Sequence, residues 1–165
     1  MNKKSKIIFV ALSIIIILII AVHFYLLDGL DGFIFSILPE QNTEYSSGYS
    51  DARFRKIRKG MSQEEVLNLL GKPICENWIY SKKDSRLESI LFIDDRLHYI
   101  HKGENKQIKL LKLGMHRKEV CDKIGEPLLK AWGYSHSPKD MSYRVRSILF
   151  EEDKVIKIIH EFYVD

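Results

Sequence analysis

The chain has 165 residues, 45% of them hydrophobic and 29% charged, with a formal net charge of +4. That composition is ordinary for a folded protein and excludes a disordered or collagen-like chain. The apolar residues are unevenly placed, however, and their distribution excludes a purely soluble protein.

From Ile7 to Leu27 the sequence IIFVALSIIIILIIAVHFYLL holds no Asp, Glu, Lys or Arg. As a helix these 21 residues would extend about 31 Å, one bilayer core. Lys3, Lys4 and Lys6 precede the run, and only acidic charges follow it as far as Ser50. The positive-inside rule therefore predicts a cytoplasmic N-terminus (1–6), a transmembrane anchor (7–27) and an extracytoplasmic remainder, which places the protein in the inner membrane with its C-terminal part periplasmic or extracellular. The run is longer than the core of a cleaved signal peptide and ends in bulky His23, Phe24, Tyr25, Leu26 and Leu27, so an uncleaved signal-anchor is expected. Residues 28–50 read as an interfacial segment followed by a linker: Phe33, Ile34, Phe35, Ile37 and Leu38 form an apolar cluster, and QNTEYSSGYS is polar and turn-rich.

Charge is then unequal. Residues 51–113 carry 14 Lys+Arg against 9 Asp+Glu, while 114–165 carry 9 of each. Much of the excess is RFRKIRK, in which Arg53, Arg55, Lys56, Arg58 and Lys59 are candidates for binding an anionic surface. An extracytoplasmic site and the lack of a recognised motif argue against nucleic acid and for lipid headgroups or an acidic protein. A solvated helix face is the plainer reading, since Phe54, Ile57 and Met61 recur at helical spacing.

The strongest signal is an internal repeat. KGMSQEEVLNLLGKPICENWIY (59–80) aligns without a gap on LGMHRKEVCDKIGEPLLKAWGY (113–134) with eight identities: Gly60, Met61, Glu65, Val66, Gly71, Pro73, Trp78 and Tyr80 match Gly114, Met115, Glu119, Val120, Gly125, Pro127, Trp132 and Tyr134. The match resumes with Ile90, Leu91 and Phe92 against Ile148, Leu149 and Phe150. Ser62 and Glu65 form a capping box, with Met61 and Val66 as a hydrophobic staple. These residues predict a helix over 63–70, ended by Gly71 in a left-handed conformation and closed by Pro73. In the second copy His116 stands where Ser62 does and should cap less well. Beyond each helix the period becomes two, and RLESILFI-DDR-LHYIHK predicts a hairpin with its turn at Asp94 and Asp95 that RVRSILF-EEDK-VIKIIHEFYV repeats.

The expected fold is α+β: a transmembrane helix followed by two tandem units, 51–104 and 105–165, each a short helical pair packed on an antiparallel sheet of about three strands. Trp78, Tyr80, Trp132 and Tyr134 fall at equivalent strand positions. They read as core residues opposite the helices, or as an aromatic platform for a partner if the sheets join. Cys75 and Cys121 occupy different places in the repeat and read as two separate packed thiols, with a bridge between the units as the other reading.

Catalytic signals are weak. His98 and His101 are three apart on a strand and face opposite sides, no third metal ligand is evident, and no nucleophile motif accompanies the Ser, Thr or Cys residues. A non-enzymatic protein without cofactor or metal is expected, with a small hydrolase as the rival class.

The pattern G-M-(S/T)-x-x-x-V-x-x-x-x-G-x-P, followed by an aromatic strand and a hairpin, resembles the SmpA/OmlA family, the small lipoprotein of the outer-membrane β-barrel assembly machinery. That family shares its fold with the tandem β-lactamase inhibitor protein. The resemblance covers residues 51 to 165 twice over, and implies a non-catalytic scaffold or assembly factor of the cell envelope that binds a protein. An inhibitor or immunity-type protein is the alternative it implies. The chain departs from the family in having two units and a membrane anchor without a lipidated cysteine.

Overall fold

A computed structural model describes residues 3–26, 42–81, 88–101, 108–139 and 142–163. The apolar cluster Phe33 to Leu38 lies outside them. Helix α1, Lys3–Leu26, takes in the apolar run as far as Leu26, and its window Ser5–Val22 has a mean hydropathy of 2.9. It is the one helix among the described residues long and apolar enough to cross a membrane.

The folded part is α+β. It consists of β1 (Glu44–Tyr45), α2 (Asp51–Phe54), α3 (Gln63–Leu70), β2 (Cys75–Ile79), β3 (Ser89–Ile93), β4 (Arg96–Ile100), α4 (Arg117–Ile124), β5 (Leu129–Gly133), β6 (Ser135–His136), β7 (Tyr143–Glu151) and β8 (Lys154–Tyr163). Six strands form one antiparallel sheet in the order β4-β3-β2-β5-β7-β8, and β1 pairs with β6 in a small second sheet. The local signals act as the sequence implies. Ser62 Oγ accepts from the Glu65 amide at 3.2 Å, and Glu65 Oε2 accepts from the Ser62 amide at 2.7 Å. In α4 Glu119 returns to the His116 amide at 2.9 Å, while the His116 ring turns to Asp95. Gly71 (φ 73°, ψ −165°) and Gly125 (φ 81°, ψ −175°) end the helices in a region reserved for glycine, a different one from the left-handed helical conformation expected. The β3–β4 hairpin turns on Asp94 and Asp95, both at positive φ, which matches the right-handed twist of the flanking strands.

The two repeats do not pack as two self-contained units. Their central strands pair with each other in the register Cys75↔Gly133, Asn77↔Ala131 and Ile79↔Leu129, so the repeat-equivalent residues Asn77 and Ala131 face one another. Each helix then covers the other repeat's strands. Val66 and Leu70 of α3 share a core with Trp132, Tyr134, Ile148, Phe150 and Val155, whereas Val120 of α4 shares one with Trp78, Ile90, Phe92 and Leu97.

Backbone pairing enforces this crossing. Gly60 N donates to Val155 O at 2.8 Å and Val155 N to Met61 O at 2.9 Å. Their counterparts are Gly114 N to Leu97 O at 2.7 Å and Leu97 N to Met115 O at 2.8 Å. Each helix thus starts beside the outer strand of the opposite repeat and ends at its own central strand. An eight-residue helix is about 12 Å long, enough with its four-residue exit to cross the intervening strands diagonally. The crossing is locked at the far end, where Tyr134 Oη donates to Gly71 O at 3.2 Å and Tyr80 Oη to Gly125 O at 3.1 Å.

Residues 42–50 are not the free linker their composition suggested. Ser46 N donates to Tyr134 O, and Tyr45 stacks on Tyr49 with centroids 4.5 Å apart. Arg146 is the reason: its side chain is buried, and Tyr49 Oη accepts from its Nε at 3.1 Å with Asp51 Oδ1 at 3.7 Å. A buried guanidinium requires such partners, and this segment supplies them. Burial, with the Asp51 hydrogen bond, raises the Tyr49 phenol above its usual range.

Because each half's core is completed by the other's helix, the folded part should unfold as one unit. Leu70→Ala is expected to cost about 2–5 kcal/mol and to lower one transition seen by both tryptophan fluorescence and circular dichroism. Leu67→Ala, on the exposed side of the same helix, should change stability by less than about 0.5 kcal/mol. Two separate transitions, one unaffected by Leu70→Ala, would contradict the exchange.

Candidate functional site

Strand alternation decides which side chains are available to a ligand. Glu76 and Trp78 of β2 and Trp132 of β5 point toward the helices, and Trp78, Trp132 and Tyr134 are buried while Tyr80 is half-buried. Each indole packs at 4.6 Å on the phenylalanine of its own repeat, Trp78 on Phe92 and Trp132 on Phe150. The aromatic platform expected from Trp78, Tyr80, Trp132 and Tyr134 is therefore core: although the strands do join into one sheet, these residues occupy its covered face.

The opposite face is the available one. Directly paired residues point the same way, so the register gives a row Tyr99, Leu91, Asn77, Ala131, Leu149, Lys157 across all six strands. A second row is Ile93, Cys75, Gly133, Ser147, Ile159. Ile79, Leu129 and Val145 extend the surface. Among the described residues no helix packs on this side. Tyr99 at one rim is 56% exposed, and Tyr143 and Tyr163 pack together at the other with centroids 5.6 Å apart. Gly133 admits the Cys75 thiol, since a Cβ there would lie 2.6 Å from its sulfur. Burial raises the Cys75 thiol and the Tyr143 phenol. The repeat hides this surface, because its conspicuous identities lie on the covered face. The signal for it was present: most of the alternate positions, among them Ile79, Leu91, Ile93, Ala131 and Leu149, are apolar too, where an antiparallel sheet with a solvated face would place polar residues.

The halves differ in polar detail. Glu76 Oε1 accepts from Trp78 Nε1, and Glu76 Oε2 pairs with Arg117 at 3.1 Å. Arg117 also pairs with Asp95 at 3.2 Å, and Asp95 meets His116 at 3.3 Å. This chain fastens the start of α4 to the β3–β4 turn. At the equivalent places in the other half Lys130 replaces Glu76 and Gln63 replaces Arg117. Gln63 bonds Asp153 Oδ1 through its amide at 3.2 Å and Glu152 O through its side chain at 3.1 Å. Trp132 Nε1 has no hydrogen-bond partner among the described residues. Lys130 instead lies 5.3 Å from the Trp78 ring.

The basic stretch forms a separate surface. Phe54 and Ile57 are buried, Arg55 is half-buried, and Arg53, Lys56, Arg58 and Lys59 are exposed. Only 51–54 are helical. Irregular backbone stabilised by the Arg58 amide to Met61 Sδ, at 3.1 Å, replaces the longer helix that the spacing suggested. The same device recurs as Lys112 N to Met115 Sδ at 3.4 Å. The repeat thus begins earlier than its identities show, with Phe54 and Ile57 matched by buried Ile108 and Leu111. The charges do not recur in full, since exposed Leu110 and Leu113 stand where Lys56 and Lys59 do.

Cys75 and Cys121 are free thiols on opposite sides of the sheet. No group of three potential metal ligands occurs among the described residues. His98 and His101 are both exposed, with His98 at the irregularity in β4. Comparison with known protein families, characterised proteins and solved structures returns no match to this chain.

Cys121 offers a direct check on the geometry around α4. Burial, the hydrogen bond to Glu126 at 3.2 Å and that carboxylate's charge raise its thiol to about 11, from 9.0. Thiolate is the reactive form, so at pH 8 alkylation should run roughly a hundredfold slower than for an unshifted thiol and accelerate toward pH 11. Glu126→Gln should speed the reaction. Rapid labelling at pH 8 in the native protein would contradict the arrangement.

Proposed function

We propose that the chain is a non-catalytic, membrane-anchored binding module that presents its sheet to a protein partner on the extracytoplasmic side of the inner membrane. The observation that carries this reading is the unequal treatment of the two sheet faces. One is sealed by three helices. The other carries Ile79, Leu91, Ile93, Ala131, Val145, Leu149 and Ile159, all half-buried, between tyrosine rims, with no helix over it among the described residues. Contiguous apolar surface framed by tyrosines is the composition of a protein interface. The lysines ahead of the apolar run and the acidic residues after it support an N-in, C-out orientation. The motif likeness to envelope assembly lipoproteins supports a scaffold or assembly factor as the role.

The test is photocrosslinking in the native membrane from Leu91 and Leu149, repeat equivalents near the middle of the open face, and from Lys123 on α4 as a covered-side control. One envelope protein should be captured from the first two positions and not from the third, and Leu149→Arg should reduce capture at least tenfold while the protein stays folded. Equal capture from both sides, no capture, or capture of a second copy alone would contradict the reading. A captured enzyme or toxin whose activity falls on binding would assign the inhibitory role.

A further inference from the structure

A cleft of about 350 Å³ lies between the segment that follows α2 and the edge strand β8. Its lining is Phe54, Arg55, Ile57, Arg58, Ile158 and His160. The volume falls in the range of small-molecule sites. Because the cleft lies on the helix side of the sheet, it is separate from the open face.

Its chemistry has two parts. Phe54 and Ile57 are buried and Ile158 is half-buried, so the floor is apolar; the His160 ring lies along Phe54 with centroids 6.2 Å apart and an interplanar angle of 28°. The other groups are basic: Arg55, Arg58 and the His160 imidazole, with no acidic side chain in the lining. Arg58 Nη1 donates to the carbonyls of Arg55 and Ile57, which fixes its guanidinium against the wall. A guanidinium held in place loses less freedom on meeting an anion, and its fork fits a carboxylate or phosphate.

The halves differ along the edge strand. Strand β4 ends at Ile100, the equivalent of Ile158, whereas β8 runs on to Tyr163 and so brings His160 to the cleft. The cleft therefore depends on the second hairpin's extension for its imidazole.

We infer that this cleft binds a small amphiphilic anion, a carboxylate or phosphate carried on an apolar chain or ring. At about 30 Å³ per water-sized group, its volume takes roughly a dozen heavy atoms. The apolar part lies on Phe54, Ile57 and Ile158, and the anionic group meets Arg55, Arg58 and His160. The ligand comes either from solution or from the anionic lipids in which the anchor sits.

The experiment uses the full-length protein in nanodiscs of zwitterionic lipid, titrated with 4-phenylbutyrate and, as the uncharged control, 4-phenylbutanamide, with isotope-edited NMR as the readout. The carboxylate should give saturable shifts at Phe54, Ile57, Ile158 and His160, and the amide should not. Arg55→Gln with Arg58→Gln should weaken binding at least tenfold. Lys118→Gln with Lys123→Gln, the same loss of charge on α4, should leave it within twofold. If phosphatidylglycerol added to the disc displaces 4-phenylbutyrate, the natural ligand is a lipid anion; if it does not, the ligand is soluble. Equal binding of the amide, equal loss in the Lys118/Lys123 variant, or undiminished binding in the Arg55/Arg58 variant with its fold intact would overturn the assignment.

Discussion

The rest of the structure depends on the antiparallel pairing of β2 with β5. These strands are repeat equivalents, and with Asn77 opposite Ala131 the register sets the two repeats about a local pseudo-twofold axis. Once they pair, each helix, joined to its own central strand by four residues, has neighbouring strands of the other repeat beneath it. Val66 and Leu70 thereby seal one half of the sheet and Val120 the other. A repeat of some fifty residues buries too little surface to be stable alone, and exchanging helices makes one core from two inadequate ones.

The pairing also determines what is left for binding. Since the helices all cover one face, the tryptophans that mark the repeat become structural and the alternate positions become surface. Symmetry is retained where it builds the core and relaxed elsewhere. The Glu76–Arg117–Asp95–His116 chain has a neutral counterpart at Gln63, and β8 outlasts β4 by several residues. The two features with binding character use this freedom differently. The open face draws on both repeats nearly equally, with Leu91 and Leu149 as counterparts, while the basic cleft is lined by the segment after α2 and the extended strand β8.

Much of the local structure was legible in the sequence. The capping box at Ser62 and Glu65, the helix ends at Gly71 and Gly125, the turn at Asp94 and Asp95 and the apolar α1 all rest on short-range chemistry, and each is readable from a few neighbouring residues. The helix exchange was not, because Val66 looks the same to either tryptophan until the strand order is known. The open face was hidden for a related reason: alternation says that Leu91 and Phe92 face opposite ways but not which side the helices take. Residues 42–50 misled by composition, since the buried Arg146 that Tyr49 and Asp51 serve lies nearly a hundred positions away. The cleft required both errors to be resolved, as it joins Phe54 and Ile57 to a strand more than a hundred positions along the chain.

The crossed packing is the claim on which the single core, the placement of the tryptophans and the open face all depend. It can be read directly from nuclear Overhauser contacts of the Val66 methyl groups in the intact protein. The structure predicts contacts from Val66 to the side chains of the Trp132 and Phe150 cluster. Contacts from Val66 to Trp78 and Phe92 instead would show that each helix covers its own repeat, and would contradict the account.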